Sequence, residues 1–238
     1  MVRKYIPDFI TSLNLLCGVV GIVFAFKGRF EYAFYSMLAG AVFDFCDGLA
    51  ARALHAYSDL GKELDSLADV VSFGVLPSVM LLNLMKICSF RDGFWCWIPL
   101  VIAVFSGIRL AKFNVDDRQH SSFLGLPTPA CAMICGSLCC FVAFEPDSFL
   151  CSLVAGPVFI PVLSVILSAL LVCELPMFSF KFSKADSHLL KRKRIFFAVN
   201  CALCLVVVLV TGQHWALAVL LSFIVYILMN VAFAVFKV

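Results

Sequence analysis

The sequence predicts an all-α polytopic membrane protein with about eight transmembrane helices and both termini in the cytoplasm. Of its 238 residues, 63% are hydrophobic and only 14% are charged, and the mean hydropathy is +1.05. Soluble domains average roughly 45–50% apolar and about 25% charged residues. A water-soluble fold could not bury so much apolar surface, so a lipid bilayer must solvate most of it. We expect a single membrane-embedded domain over residues 1–238.

Eight apolar runs approach the roughly 17–25 residues that a helix needs to cross a bilayer. The run at 129–144 is short, so it could be tilted or half-buried. The run at 149–173 contains Pro157 and Pro161, and proline lacks the amide hydrogen of a helix interior, so we expect a kink there. The eight runs are 9–26, 32–54, 68–87, 94–113, 129–144, 149–173, 195–211 and 214–236.

Basic residues are distributed unevenly between the two ends of these runs. With both termini in the cytoplasm, fourteen of the eighteen Lys and Arg residues fall in cytoplasmic segments, and only Lys27, Arg29, Lys86 and Arg91 fall outside. This asymmetry follows the positive-inside rule and supports an even number of spans. Six or seven spans stay open if the short run does not cross. The basic run 191–194 is best explained as topology anchoring, with headgroup binding as the alternative.

Twelve cysteines lie mostly inside the apolar runs. Cys201 and Cys204 have CxxC spacing, but they lie among Leu and Val residues without a polar neighbour. We therefore expect the cysteines to act as small hydrophobic residues, and we predict neither a disulfide framework nor a zinc site. The net charge of +3 says little by itself, and we expect no nucleic acid among the partners.

Four aspartates lie in or against apolar helix, where an ionisable group is costly. The cost is roughly 2.5–3.5 kcal/mol each at a helix centre, so a function or a bound cation must offset it. If the helices that carry them pack face to face, the carboxylates converge and repel one another unless a cation is bound. All-oxygen ligands without histidine favour Mg²⁺ or Mn²⁺ over zinc. The four are Asp44, Asp47, Asp65 and Asp69.

Small residues share the helix faces of these acids at helical spacing. They leave room for a bulky ligand or let helices approach closely. Arg52, on the face of the first two acids, is a natural partner for a phosphate group. The alternative, in which the acids pair with Arg52 and Lys62 as juxtamembrane salt bridges, accounts for two acids at most. The small residues are Gly48, Ala51 and Gly61.

The pattern D-x2-D-G-x2-A-R-x8-G-x3-D-x3-D over residues 44–69 resembles the motif of the CDP-alcohol phosphotransferase family, and every fixed position is filled. Eight fixed residues over twenty-six positions make the resemblance highly specific. It implies one domain of this family in the cytoplasmic (inner) membrane, with its site at the cytoplasmic face. It also implies a reaction in which a hydroxyl group attacks the lipid-side phosphorus of a CDP-linked lipid and CMP leaves.

The resemblance implies a role for each motif residue. The metal ligands would be Asp44, Asp47, Asp65 and Asp69. The last of these would also be the catalytic base that takes the proton of the acceptor hydroxyl. The divalent ion would offset charge on the leaving CMP. The CDP-lipid site would be lined by Gly48, Ala51, Arg52 and Gly61.

Segments that flank the motif resemble the phosphatidylserine synthases of this family, which implies CDP-diacylglycerol as donor and L-serine as acceptor. Serine carries a carboxylate, for which Arg109 could offer a bidentate fork. Lys112 and Asn114 complete the expected serine-binding set, with topology anchoring as the alternative for the two basic residues. In the first segment Asp8 stands where the family has Asn. The segments are 6–18, 64–77, 106–115, 123–130 and 177–182.

Two other functions stay open. The same chemistry with glycerol 3-phosphate or an inositol phosphate as acceptor should need a denser basic cluster than Arg109, Lys112 and Arg118 provide. A divalent-cation transporter would leave the Gly, Ala and Arg residues of the motif unexplained. Metal-dependent CMP release would distinguish an enzyme from a transporter. The small residues at 39–41 and the family resemblance also fit a homodimer.

Overall fold

Helices form most of the chain in the computed structural model, which describes residues 5–89, 93–115, 123–177 and 188–236. A π-helical segment (Val70–Val75) joins α3 to α4, and a 3-10 segment (Phe94–Leu100) leads into α5. A two-residue strand β1 (Phe123–Leu124) pairs antiparallel with β2 (Pro176–Met177). The predicted all-α class is confirmed. The α-helices are α1 (Ile6–Phe26), α2 (Phe30–Leu54), α3 (Asp59–Asp69), α4 (Leu76–Ser89), α5 (Val101–Val115), α6 (Thr128–Phe144), α7 (Phe149–Ala155), α8 (Phe159–Val172), α9 (His188–Thr211) and α10 (Ala216–Phe236).

Helices long and apolar enough to span a membrane are fewer than the eight predicted runs. Among the described residues there are five, or six if the bent pair α6 and α7 forms one span. Helix α2 has 25 residues and carries Asp44, Asp47 and Arg52, and it is not among the five. Helix α8 has only 14 residues. The chain is therefore polytopic, while the count of eight and the side of the termini stay predictions.

The predicted run 149–173 is broken rather than kinked. Helix α7 ends at Ala155 and α8 begins at Phe159, with Pro157 in the connection. Pro161 lies in the first turn of α8, where its missing amide hydrogen would have no intrahelical acceptor. Helix α7 turns back from α6 by 109°. The physical reason for the break is that each proline in a helix interior removes a backbone hydrogen bond and clashes with the preceding turn, whereas a proline in the connection or in the first turn does neither.

Helix α6, the short run of the sequence, lies at the centre of the bundle and is buried along almost its whole length. This position explains its continuous apolar character, because a helix that is apolar all round is buried. Gly136 makes the packing possible, since a Cβ atom there would collide with Met37 and Phe34 of α2. All twelve cysteines are free thiols, four of them buried in α6.

Helix α1 packs on α2, α3, the π-helical segment and α4. A Cβ atom at Gly18 would lie 2.5 Å from Ser72 Oγ and 3.0 Å from Ser72 Cα, and one at Gly21 would lie 2.6 Å from Leu76 Cδ2. The backbone of α1 therefore lies directly against the π-helical segment and the first residue of α4. Gly40 of α2 also faces α1, because its Cβ would lie 2.9 Å from Asn14 Oδ1. This glycine of the stretch 39–41 thus packs inside the chain rather than at a dimer interface.

Aromatic side chains join the elements at the end of the bundle opposite to the acids. Trp215, before α10, stacks on Phe34 and Tyr35 near the start of α2, with ring centroids 5.6 and 6.2 Å apart. His214 stacks on Phe144 at the end of α6, at 4.0 Å. The start of α2, the residues before α10 and the last turn of α6 therefore meet at one end. Predicted features at Arg3, Lys4, Arg91, Arg118, 178–187 and Lys237 lie outside the described residues.

Candidate active site

Three of the four predicted acids converge at the end of the bundle where α2 ends and α3 begins. One carboxylate oxygen each of Asp44, Asp47 and Asp65 lies within 4.8 Å of the others. Two oxygens on opposite sides of a bound Mg²⁺ are about 4.2 Å apart, because each bond is about 2.1 Å long. The three carboxylates therefore fit one divalent ion after a small inward movement. Their oxygen-only donor set suits Mg²⁺ or Mn²⁺ better than zinc.

Asp69 lies one turn beyond Asp65 on α3 and is not part of this group of three. Its carboxylate interacts electrostatically with all three of the other acids. Asn14 of α1 donates a hydrogen bond from Nδ2 to Asp69 Oδ1 over 3.4 Å. The structure thus brings Asp69 next to the group of three, and its roles as a metal ligand and as a base stay predictions.

The condition stated for convergence of the acids, face-to-face packing of α2 and α3, is not met, although three of the acids do converge. These two helices hardly contact each other, and each packs on α1 instead. Helix α2 stops at His55, whose φ of 49° is left-handed. Helix α3 then starts at a Ser58 cap, whose Oγ accepts a hydrogen bond of 2.9 Å from the Gly61 amide. The turn between the two helices leaves a gap, and Asp47 and Asp65 line one side of it.

A pocket of about 210 Å³ occupies this gap. A Cβ atom at Gly48 would meet no atom closer than Arg52 Nη2 at 3.9 Å, so the pocket is open beside that residue. At Gly61 of α3 a Cβ atom would lie 2.7 Å from Asp8 Oδ1 of α1, so α3 and α1 approach closely there. The pocket is therefore next to the acids and owes its room to the small residues. Its lining is Pro7, Asp8, Thr11, Asp47, Gly48, Ala51, Ala56, Tyr57, Ser58, Gly61, Lys62 and Asp65.

The two basic residues of the salt-bridge alternative make other contacts. Arg52 is exposed beside the pocket, and its Nε donates to the Gly48 carbonyl over 2.9 Å. Lys62 Nζ donates to the Asn114 carbonyl over 3.4 Å. These contacts favour a binding site over a set of surface ion pairs. Arg52 is not in the pocket lining, so its predicted contact with the CDP-lipid requires the side chain to turn inward.

Arg109, predicted to bind serine, is buried on α5 with 7% of its surface exposed. Its Nη1 donates to Thr128 Oγ1 of α6 over 2.7 Å, and its guanidinium interacts electrostatically with Asp69 and with Tyr226 of α10. Asp69 therefore interacts both with the acids beside the pocket and with this buried cation. Arg109 itself does not line the pocket.

The other two predicted serine-binding residues lie near the end of α5. Lys112 is exposed. Asn114 is half-buried, and its Nδ2 donates to Ser66 Oγ of α3 over 2.8 Å. Neither lines the pocket. The structure thus assigns Asn114 a contact between α5 and α3, and none of the three predicted residues lines the pocket beside the acids.

Four polar residues without a predicted role interact with the predicted site residues. Two of them lie on α1, and two polar residues spaced three apart on an apolar helix are a signal that could have identified them. Thr128 lies in the flanking segment 123–130, directly before the predicted run 129–144. Tyr226 is fully buried on α10, a helix without any motif, so no local signal marked it. The four are Thr11, Asn14, Thr128 and Tyr226.

Residues 4–175 match the family model described as CDP-alcohol phosphatidyltransferase. The match covers well over half of the chain, and the chain belongs to this family. Helices α9 and α10 lie beyond the matched residues. The catalytic class inferred from the aspartate motif is therefore confirmed.

Curated relatives named CDP-diacylglycerol–serine O-phosphatidyltransferase are similar to this chain. The Bacillus subtilis protein is 37% identical over 130 residues, which are 55% of this chain and 72% of that protein. The Methanocaldococcus jannaschii protein is 29% identical over 227 residues, which are 94% of each chain. The Helicobacter pylori (strain J99) protein is 34% identical over 130 residues, 54% of each chain. The likeness to phosphatidylserine synthases therefore extends, in one relative, to the last two helices.

Proposed function

We propose that this protein transfers the phosphatidyl group of CDP-diacylglycerol to the hydroxyl group of L-serine, giving phosphatidylserine and CMP. Membership of the family supports the reaction class, and the names of the relatives support the acceptor. The structural observation that carries the proposal is the convergence of Asp44, Asp47 and Asp65 beside the pocket. Residues 1–238 would form one catalytic domain.

The cytidine diphosphate group of the donor would lie in the pocket, with its phosphates toward the three acids. Gly48, Ala51 and Gly61 leave the room for it, and Arg52 would turn inward to a phosphate oxygen. Three carboxylates and a diphosphate repel one another, so the site requires a divalent cation. Mg²⁺ or Mn²⁺, when bound, would offset the charge that develops on the leaving CMP.

Asp69 would take the proton of the serine hydroxyl as its oxygen attacks the lipid-side phosphorus. Its interaction with the three acids on one side and with Arg109 on the other supports this role. Arg109 would hold the serine carboxylate, and Thr128 fixes the direction of its guanidinium. Lys112 and Asn114 would complete the acceptor side. Because the base must reach the hydroxyl that attacks, these groups must lie on one side of the phosphorus, opposite the leaving CMP.

The orientation and assembly of the protein are further parts of this proposal. The helix ends that carry the acids also carry Arg52, Lys62 and Lys112, which favours a site at the cytoplasmic face of the inner membrane. A homodimer rests on the family resemblance, since Gly40 packs inside the chain. Cysteine-accessibility labelling at Lys62→Cys in right-side-out and inverted vesicles tests the orientation, and cross-linking in native membranes tests the dimer.

The experiment that tests the reaction measures CMP release by the purified protein in detergent with CDP-diacylglycerol. L-serine, glycerol 3-phosphate and inositol phosphate are compared as acceptors, each with Mn²⁺, with Mg²⁺ and with a chelator. We expect release with serine only, abolished by chelation and restored by the metal. An Asp65→Asn variant of equal thermal stability is the matched control. Release with another acceptor would overturn the serine assignment, and no release from folded protein would overturn the enzyme assignment.

A further inference from the structure

Helix α1 carries none of the predicted metal ligands, but one of its side chains contacts a ligand directly. Thr11 is 3% exposed, and its Oγ1 lies 2.6 Å from Asp47 Oδ2 and 3.0 Å from the Pro7 carbonyl. A hydroxyl group has one hydrogen to donate. The shorter distance lies in the range of about 2.5–2.7 Å that is typical of a hydroxyl donating to a carboxylate. The Thr11 hydroxyl therefore donates to Asp47.

This hydrogen bond restricts the carboxylate. Asp47 is itself 7% exposed, so few water molecules compete for the oxygen that Thr11 engages. With one oxygen held by α1, rotation of the carboxylate about its side-chain bonds is limited, and the group is kept beside Asp44 and Asp65. A ligand set that is arranged in advance loses less conformational freedom when the ion binds.

The position of Thr11 is fixed by the packing of α1. Two turns further along, Gly18 lies against Ser72 so closely that a Cβ atom would be 3.0 Å from the Ser72 Cα atom. Ser72 Oγ also donates to the Asn14 carbonyl over 3.0 Å. Helix α1 therefore cannot move away from the acids without breaking these contacts. The same helix reaches Asp69 through Asn14 Nδ2.

We propose that Thr11 is a positioning residue of the divalent-metal site, which acts by holding the carboxylate of Asp47 toward the ion. The inference rests on the proposed function insofar as the three acids bind a metal. Outer-sphere partners of metal ligands typically contribute about 10–100-fold to metal affinity or activity. The hydroxyl of Thr11, rather than its methyl group, should supply the effect.

The test measures binding of Mn²⁺ alone to purified protein in detergent, by electron paramagnetic resonance of the free ion, without any lipid substrate. Thr11→Val keeps the shape of the side chain and removes the donor, and Thr11→Ser keeps the donor and removes the methyl group. Ser12→Ala is the matched control, because Ser12 is exposed on the next position and its Oγ donates to the Asp8 carbonyl of its own helix. Thermal unfolding of each variant without metal reports folding separately.

We expect Thr11→Val to weaken Mn²⁺ binding by about 10–100-fold, while Thr11→Ser and Ser12→Ala bind as the parent protein does. Equal affinity of Thr11→Val and the parent, or equal losses in Thr11→Val and Thr11→Ser, would overturn the inference and leave the metal site standing. Thr11→Ala is the second donor-free variant should Thr11→Val not fold, and it is held to the same criterion. Failure of the parent protein to bind Mn²⁺, with the Asp44→Asn variant indistinguishable from it, would overturn the metal site itself and the inference with it.

Discussion

Replacement of Gly48 by alanine should raise the stability of the protein and lower its activity. Gly48 lies inside α2 and lines the pocket beside Asp47. A Cβ atom there would meet no protein atom closer than 3.9 Å. The added methyl group therefore disturbs nothing in the unliganded protein, but it projects into the space that we assign to the cytidine diphosphate group. Stability and binding should change in opposite directions.

The two effects have separate magnitudes. Alanine is favoured over glycine in a helix interior by roughly 0.8–1 kcal/mol, so the free energy of unfolding should rise by up to that amount. A methyl group forced into a filled site typically costs about 1–3 kcal/mol. Since about 1.4 kcal/mol corresponds to a tenfold change in an equilibrium constant, the KM for CDP-diacylglycerol should rise roughly 5- to 140-fold.

The assay combines thermal unfolding in detergent with CMP release at varied CDP-diacylglycerol and saturating L-serine. Gly107→Ala is the matched control, because Gly107 lies inside α5 and a Cβ atom there would meet nothing within 4 Å. This control should gain similar stability without any change in KM. An unchanged KM in Gly48→Ala would refute the placement of the CDP group beside Gly48. Equal losses of activity in the two variants would show that helix stiffening, rather than a blocked pocket, is responsible.

Three further predictions concern the base, the acceptor and the fold. Asp69→Asn should lower kcat by at least about 100-fold, as loss of a general base does. The unfolding temperature and the Mn²⁺ affinity of the variant are measured as controls, and substantial remaining turnover would contradict the role of Asp69 as base. Arg109→Ala should raise the KM for serine far more than that for the CDP-lipid, whereas equal changes in both would remove Arg109 from the acceptor side. Gly125→Ala should lower the free energy of unfolding by roughly 2 kcal/mol or more. The φ of Gly125 is +77°, which disfavours a side chain, and a Cβ atom would lie 2.7 Å from the Cys173 and Leu171 carbonyl oxygens. An unchanged unfolding curve in detergent would contradict this prediction.

Sequence alone determined the class of the protein and the composition of its candidate site. The apolar content requires a bilayer as solvent, whatever the packing of the helices. Residues three and four positions apart share a helix face, so the faces that carry Asp44 with Asp47 and Asp65 with Asp69 could be identified without coordinates. The predicted apolar runs are helical where the structure describes them, except at the break at 156–158 and at the run ends 173 and 214–215. Apolar content, helix formation and shared helix faces depend on residues that are close in the chain, so the sequence determines them.

Only the tertiary structure decided which faces meet. Spacing places Asp47 and Asp65 on faces of two helices, but it does not show that both helices pack on α1, that a pocket opens between them, or that Thr11 holds one of the acids. It also could not show that Asp69 stays outside the group of three. These outcomes depend on close contacts between distant segments, such as Gly18 against Ser72. Such contacts arise from the volumes of side chains that are far apart in the chain, and a periodic pattern along one helix carries no information about them.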